Sequence, residues 1–101
     1  MTIIFVRSVE LQAGKDQAGL EMAQKFVSHL KEAQGLDVQL VRQIGGNPRT
    51  IAWTSRHDSL AAYESNMEKI ESDDVYQAMS QEAGGIYKDG TLADQIYQTI
   101  D

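Results

Sequence analysis

Two hydrophobic periodicities alternate along this chain, and their order restricts its fold more than any other feature. Four segments follow the two-residue period of a β-strand, and the segments between them repeat apolar residues at the spacing of an amphipathic helix. The strand-like segments are residues 2–12, 36–44, 49–57 and 91–100, and the helix-like segments are residues 15–34, 60–70 and 75–83. This order is that of the ferredoxin-like βαββαβ fold, which belongs to the α+β class. We therefore expect one domain over residues 1–101, a four-stranded antiparallel sheet with its helices on one face.

The residues between these segments indicate where the helices begin and end. Asp58 or Ser59 can cap the second helix, and Asp73 or Asp74 can cap the third. Gly35 follows the first helix as a C-terminal stop, and glycines at 84 and 85 end the third.

A hairpin is predicted where the Gly45-Gly46-Asn47-Pro48 run separates the second and third strands. A four-residue loop fixes the register, because a slip by one residue would move every side chain to the opposite face. The predicted facing pairs are Leu36 with His57, Val38 with Ser55, Leu40 with Trp53, Arg42 with Ile51 and Ile44 with Arg49.

This register divides the sheet into two faces of different character. The face under the helices is predicted to hold Phe5, Val9, Leu11, Val38, Leu40, Ile51, Trp53, Leu92 and Ile96. The opposite face holds Ile4, Val6, Val41, Ala52, Thr54, Ala93, Tyr97 and Thr99 among Gln39, Gln43 and Gln95. That face is too apolar and too uncharged for open water, so we expect a symmetric homodimer of back-to-back sheets to cover it.

Length and composition exclude several classes of function. The chain has 101 residues, 9 Lys and Arg against 15 Asp and Glu for a formal net charge of −6, and no cysteine. Disulfides, thiolate metal sites and cysteine nucleophiles are therefore excluded, and the acidic balance argues against nucleic-acid binding. Neither a signal-peptide pattern nor a long apolar run is present, so we expect a cytoplasmic protein that does not cross a membrane.

Familiar chemical motifs are absent, and the few candidates have structural explanations. Neither a P-loop nor a GxGxxG sequence occurs, and the two histidines, His29 and His57, lie on different elements, so we expect no metal site. Ser55 and His57 share a strand face about 6–7 Å apart, which predicts no hydrogen bond between them unless the strand bends.

Four polar residues interrupt the face that the helices should cover: Arg7, Arg42, His57 and Asp94. A buried charge is costly unless it is paired or lines a wet cavity. In a structural interpretation, Arg7 pairs with Asp94 on the neighbouring strand, while Arg42 and His57 extend outward at the sheet ends. In a functional interpretation, the four line a pocket together with Trp53, Tyr63, Met67 and Tyr76, and an enzyme would have a cavity of about 300 Å³ or more there.

The segment from Trp53 to Gly85, WTSRHDSLAAYESNMEKIESDDVYQAMSQEAGG, resembles members of the dimeric α/β-barrel superfamily. It is similar to NIPSNAP proteins and to antibiotic-biosynthesis monooxygenases in three features. These are an aromatic residue at the end of a strand, a helix that starts with "SLAAYE", and a second helix start with the acidic sequence "SDD.YQ". The resemblance covers the whole chain in element order and about this third of it in wording.

This resemblance implies a cleft that binds a small aromatic or polyketide-like substrate. Arg42 would stabilise a developing phenolate or enolate and His57 would move a proton, while Arg7, Trp53, Tyr63, Met67, Tyr76 and Asp94 would bind the substrate. Oxygen could then react with the substrate anion without a bound cofactor. Haem-degrading relatives use an Asn on the first strand and a His on the second helix, both missing here, so we expect no haem. The alternative is a non-enzymatic, NIPSNAP-like ligand-binding or interaction protein.

Overall fold

The computed structural model describes residues 1–100 and has the element order that the sequence predicts. The elements are β1 (Ile3–Glu10), α1 (Asp16–Gln34), β2 (Val38–Arg42), β3 (Thr50–His57), α2 (Leu60–Glu71), α3 (Asp74–Ala83) and β4 (Ala93–Gln98). Each strand is shorter than the predicted segment, because the apolar alternation continues a few residues beyond the last ladder partner. The predicted α+β ferredoxin-like class is confirmed.

The four strands form one antiparallel sheet in the order β2-β3-β1-β4. In the hairpin, Val38 faces Ser55, Leu40 faces Trp53 and Arg42 faces Ile51, which confirms the predicted register. The two outermost predicted pairs lie beyond the ends of β2. In the centre of the sheet, Arg7 of β1 stands between Trp53 of β3 and Asp94 of β4.

The helix ends follow the predicted signals. The Ser59 side chain accepts a hydrogen bond from the Ala62 amide, and the Asp73 side chain accepts from the amides of Val75 and Tyr76. Gly35 ends α1 with a φ of 65°, in the left-handed region that favours glycine. These caps satisfy amides that would otherwise lack partners, and they fix where α2 and α3 begin over the sheet.

The core lies between the sheet and α1. On the sheet side Phe5, Val9, Leu11 and Ile51 are buried, and α1 contributes Met22, Ala23, Phe26 and Leu30. This stripe of α1 carries the hydrophobic spacing seen in the sequence, so the predicted inner face is confirmed for β1 and β3.

The edge strand β4 departs from the prediction. All six of its residues are exposed, and Leu92 and Ile96, expected beneath the helices, are 61% and 50% exposed. Ile96 lies opposite Phe5 and is therefore on the predicted face, but the expected burial of both residues is wrong because no described helix packs closely on the outermost strand. β4 pairs with β1 along one edge and leaves its other edge unpaired.

The outer face of the sheet, opposite the helices, is not covered by any element of residues 1–100. Ile4 and Val6 are half-buried there, whereas Val41 and Tyr97 are 39% and 51% exposed. Apolar and neutral polar side chains therefore meet solvent on this face of the isolated chain, together with the charged residue Arg56, which lies opposite Ile4.

Candidate functional site

A cavity of about 260 Å³ lies between the sheet and the three helices. It is slightly smaller than the size predicted for an enzyme site and lies near the lower end of small-molecule pockets. Its walls are mostly apolar, and its polar contributors include Arg7, Ser55 and Tyr76. Four of the eight predicted site residues line it: Arg7, Trp53, Met67 and Tyr76.

Trp53 forms one wall of the cavity and is held by edge-on aromatic contacts. Its ring centroid lies 5.8 Å from that of Phe26 and 5.9 Å from that of Tyr87, with interplanar angles of 78° and 81°. The indole Nε1 donates a hydrogen bond of 3.2 Å to the Ala23 carbonyl. With its one polar atom satisfied, the indole presents apolar surface to the cavity, which suits a planar ligand.

Arg7 is the cationic side chain that the sheet contributes to the cavity wall, where Lys88 also lies, and the charge of Arg7 is balanced within the chain. Its Nε and Nη2 donate to the two carboxylate oxygens of Asp94 at 2.7 and 2.8 Å, and Nη1 donates to Tyr76 Oη at 3.1 Å. The bond to Asp94 is the main cause that raises the pKa of the Arg7 guanidinium above its usual value. The predicted Arg7–Asp94 pair is confirmed, and Arg7 both pairs and lines the cavity.

A second polar group joins Ser55, His57 and Asn66. Ser55 Oγ lies 2.9 Å from His57 Nε2, and Asn66 Nδ2 lies 2.9 Å from His57 Nδ1. The predicted absence of a Ser55–His57 hydrogen bond is therefore wrong. Strand spacing separates the two Cα atoms, but the longer imidazole side chain reaches back along the sheet face to the hydroxyl.

His57 is buried, which contradicts the interpretation that it extends outward at the sheet end. It is 4% exposed and its ring packs edge-on against Tyr63 of α2 at 5.4 Å. Burial lowers the pKa of His57 below 6.5, and the nearby Asp58 charge opposes this shift. Ser55 lines the cavity but His57 does not, so the imidazole lies behind the hydroxyl.

The remaining predicted site residues lie outside the cavity lining. Arg42 is exposed near the end of β2, Asp94 contacts Arg7 from the edge strand, and Tyr63 packs on Phe5 and His57. Burial is the main cause that raises the pKa of Tyr63. None of these three lines the cavity of residues 1–100.

Sequence reasoning missed several lining residues, among them Phe26, Leu30, Ser55 and Tyr87. Phe26 and Leu30 belong to the apolar stripe of α1 that the sequence predicts. The pattern of that stripe does not show which of its residues line a cavity and which pack in the core. Tyr87 stands between the Gly84-Gly85 and Asp89-Gly90 turn signals, where an aromatic residue indicates a return to the core.

The exposed part of the cavity lining, which we call the rim, is tied to β1. It includes Lys88, Asp89, Gly90 and Leu92. The Lys88 amide donates to the Glu10 carbonyl at 3.0 Å, and the Glu10 amide donates to Thr91 Oγ1 at 3.0 Å. At its start, Tyr87 Oη donates to the Gly19 carbonyl at 2.7 Å, and burial raises the pKa of Tyr87 to about 12. These bonds hold the rim against both β1 and α1.

A separate pair of titratable groups joins α1 to the cap of α3. His29 Nε2 lies 2.6 Å from Asp73 Oδ2, and this contact is the main cause that lowers the pKa of Asp73 below 3.8. Across residues 1–100, no cluster of three or more His, Cys, Asp or Glu side chains is arranged to hold a metal ion. Within the same residues, no helix is both long and apolar enough to cross a bilayer.

Solved structures show that this chain shares its fold with two groups of proteins. A NIPSNAP family protein from Agrobacterium tumefaciens matches with a TM-score of 0.81 at 16% identity, over 100% of this chain and 95% of that one. A NIPSNAP domain protein from Burkholderia xenovorans matches at 0.79 and 14% identity, over 97% and 94%. A candidate antibiotic biosynthesis monooxygenase from Deinococcus radiodurans matches at 0.72 and 11% identity, over 98% and 93%.

These matches confirm, at the level of the fold, the resemblance that the sequence indicated. No protein-family model matches the chain, and no curated protein matches it. Identities this low show a common architecture, which hosts many chemistries, so residue roles must be argued from the cavity itself.

Proposed function

We propose that this protein binds a small aromatic or polyketide-like compound in the cavity between its sheet and helices, and that it oxidises this compound without a bound cofactor. The observation that carries the proposal is the cavity of about 260 Å³, with an aromatic wall at Trp53 and the Arg7–Tyr76 pair in its lining. Apolar walls with few placed polar groups are typical of small-molecule sites.

The Arg7 guanidinium supports a ligand that carries an oxygen acceptor. Arginine has five N–H donors, and the contacts with Asp94 and Tyr76 use three of them. The other donors remain for an oxygen atom on a compound stacked against Trp53. We assign the charge-stabilising role to Arg7 instead of Arg42, because Arg7 lines the cavity and Arg42 does not.

Binding can be measured through Trp53, which is the one tryptophan of the chain. We expect anthrone to quench its fluorescence saturably, and we expect Ala83→Leu to abolish this quenching because Ala83 is buried in the cavity wall. Ala78→Leu is the matched control, since Ala78 lies on the same helix but is exposed. Equal quenching in both variants would show that anthrone binds elsewhere.

The proposed reaction begins with an electron-rich substrate anion. Loss of a proton from an anthrone CH2 group to water gives an enolate, which Arg7 stabilises. Molecular oxygen then oxidises that carbon: one oxygen atom becomes the carbonyl oxygen, and the other leaves as water with the two hydrogens of the CH2 group. The substrate supplies all four electrons. Oxygen uptake with anthrone and quinol substrates tests this step: we expect Arg7→Gln to lose it and Arg42→Gln to retain it. Uptake that is unchanged in Arg7→Gln would remove the proposed role of Arg7.

The second candidate function is a non-enzymatic ligand-binding protein. It is favoured by the bidentate Arg7–Asp94 pair, because a compensated guanidinium stabilises a new anion less than a free one does. The two candidates differ in one measurement. A carrier would bind anthrone with no oxygen uptake above the spontaneous rate, whereas an oxygenase would show both.

We also propose that the protein is a homodimer that joins the outer faces of two sheets, as a dimeric α/β barrel. Support comes from that face itself, where half-buried Ile4 and Val6 and exposed Tyr97 lack a covering layer in the isolated chain. The surrounding glutamines are uncharged and can be buried at modest cost when they find hydrogen-bond partners.

A further inference from the structure

The side chains of Asn66, His57 and Ser55 form a continuous hydrogen-bond chain that ends in the cavity. Asn66 Nδ2 lies 2.9 Å from His57 Nδ1, and His57 Nε2 lies 2.9 Å from Ser55 Oγ. Ser55 and His57 are 5% and 4% exposed, and of the three only Ser55 lines the cavity. The chain therefore links a helix residue to a hydroxyl at the cavity wall.

The atoms at each contact set the direction in which the protons are donated. An amide nitrogen donates and cannot accept, so Nδ1 of His57 accepts from Asn66. Burial, which lowers the pKa of His57, keeps the ring neutral near pH 7. A neutral ring that accepts at Nδ1 carries its proton on Nε2, and it donates that proton to Ser55 Oγ.

The Ser55 hydroxyl proton is consequently left without an acceptor among the hydrogen bonds of residues 1–100. Tyr76 is in the same position, because its Oη accepts from Arg7 Nη1 and its own proton has no acceptor in that part of the chain. Both hydroxyls line the cavity. Two donors without a protein acceptor therefore border one mostly apolar space.

We propose that Ser55 and Tyr76 form a subsite for a carbonyl oxygen of the ligand, with Ser55 held as a donor by His57 and Asn66. This inference rests on the proposed function, and it narrows the ligand to a compound with an aromatic body and a ketone or quinone-type oxygen. A ligand without that oxygen leaves both hydroxyl donors unpaired in an apolar cavity, and a site built from such donors discriminates strongly against it. Ser55 is a binding residue, whereas His57 and Asn66 are positioning residues.

The first test uses a ketone and its matched hydrocarbon, 1-tetralone and tetralin. Titration calorimetry on the purified protein gives the ratio of their two dissociation constants. We expect Ser55→Ala to weaken 1-tetralone binding about fivefold, as for one lost hydrogen bond, and to leave tetralin within about twofold. We expect Tyr76→Phe to act in the same way and Ser55→Thr, which keeps the hydroxyl, to retain the wild-type ratio.

Ser8→Ala is the matched control, because it removes a half-buried hydroxyl from the outer face of β1, outside the cavity lining. An unchanged ratio in Ser55→Ala, with both compounds still bound, would overturn the subsite but leave the proposed function standing. If neither compound binds the wild-type protein, the proposed function fails and the subsite fails with it.

The second test needs no ligand. The nitrogen-15 chemical shifts of the His57 ring report which nitrogen carries the proton, and we expect the Nε2–H tautomer at neutral pH. A proton on Nδ1 would mean that Ser55 donates to His57 and offers no proton to the cavity, which would overturn the inference independently of any binding result. Because a free neutral imidazole also favours the Nε2–H form, the measurement is repeated in Asn66→Ala, where we expect the Nδ1–H population to rise and, in the binding test, the 1-tetralone preference to fall.

Discussion

The two faces of the sheet are built from the same strands but differ in how their apolar side chains are covered and how their polar side chains are paired. On the inner face, Ile51 and Val9 are buried beneath α1, and Arg7 and Ser55 each have partners within the chain. On the outer face, Val41 and Tyr97 remain substantially exposed. Alternation along a strand assigns a residue to a face, but the layer packed on that face decides whether the residue is buried.

The inner face also shows two ways to place a polar group against an apolar cavity. Arg7 is charged and is balanced by a carboxylate from the edge strand, while Ser55 is neutral and is held by a histidine that burial keeps uncharged. Both arrangements avoid an uncompensated buried charge, which would cost several kcal/mol. The difference between the faces can be tested by matched substitutions.

The largest expected loss of stability comes from a substitution that creates a cavity on the inner face. Ile51 is 1% exposed, so Ile51→Ala should lower the free energy of unfolding by about 3 kcal/mol. Its counterpart Val41→Ala, on the outer face at 39% exposure, should lower it by less than about 1 kcal/mol. Urea denaturation measures both. Similar losses would mean that the two faces contribute equally to stability.

The next effect concerns the outer face as an interface. Val6→Lys places a charge in the middle of the proposed dimer contact, so we expect the dimer dissociation constant to rise at least about tenfold. Analytical ultracentrifugation of wild type and variant measures this change. Gln24→Lys, on the exposed side of α1, serves as the charge-matched control because α1 lies on the opposite side of the sheet. A wild-type protein that sediments as a folded monomer at micromolar concentration would exclude the dimer.

A smaller effect is expected from the Arg7–Asp94 pair. Asp94→Asn removes the carboxylate charge and should lower the free energy of unfolding by about 1 kcal/mol, since Asp94 is 43% exposed and solvent screens the pair. Asp37→Asn removes an equal charge from the Lys31 pair, where Asp37 is 85% exposed, and should change stability by less than about 0.5 kcal/mol. Thermal and urea unfolding distinguish them. If Asp37→Asn lowers the free energy of unfolding as much as Asp94→Asn does, partial burial does not strengthen the Arg7–Asp94 pair.

The smallest effect is the pH dependence that His57 contributes. Because the folded-state pKa of His57 lies below 6.5, the unfolded chain binds this proton first, and stability falls as the pH drops below about 6.5. The loss continues until the pH passes the folded-state pKa. We expect the decline to be shallower in His57→Gln than in the wild-type protein, measured by urea denaturation at a series of pH values. If the stability of His57→Gln declines as steeply with falling pH as that of the wild type, the pH dependence comes from other titratable groups.

Most of the fold could be predicted because local signals agreed with one another. The alternation in residues 36–44 and 49–57 allowed one hairpin register that kept the apolar residues together, and the structure has that register. Ser59 and Asp73 are side chains that favour helix N-caps, and both act as caps. The Arg7–Asp94 pair was predicted because both residues interrupt the inner face on neighbouring strands, and the structure places them opposite each other.

The site was harder to predict because it depends on side-chain reach and on how far the helical layer extends. Strand spacing alone separated Ser55 from His57, yet the rotamer of the imidazole closes that distance, and no sequence pattern encodes a rotamer. The exposure of Leu92 and Ile96 depends on the width of the helical layer relative to the sheet. Arg42 and Arg7 share a predicted face, and only the three-dimensional course of the helices shows which one borders the cavity.

The hydrogen bonds that tie residues 88 and 91 to Glu10 have a consequence for the kinetics of ligand exchange. Because these hydrogen bonds fix the segment to the central strand, we expect the opening to keep its width when a ligand enters, so that binding does not require a loop to move. The association rate of a compound that fits is then set by diffusion and by the width of the opening. A compound wider than the opening does not enter the cavity at all, instead of binding slowly.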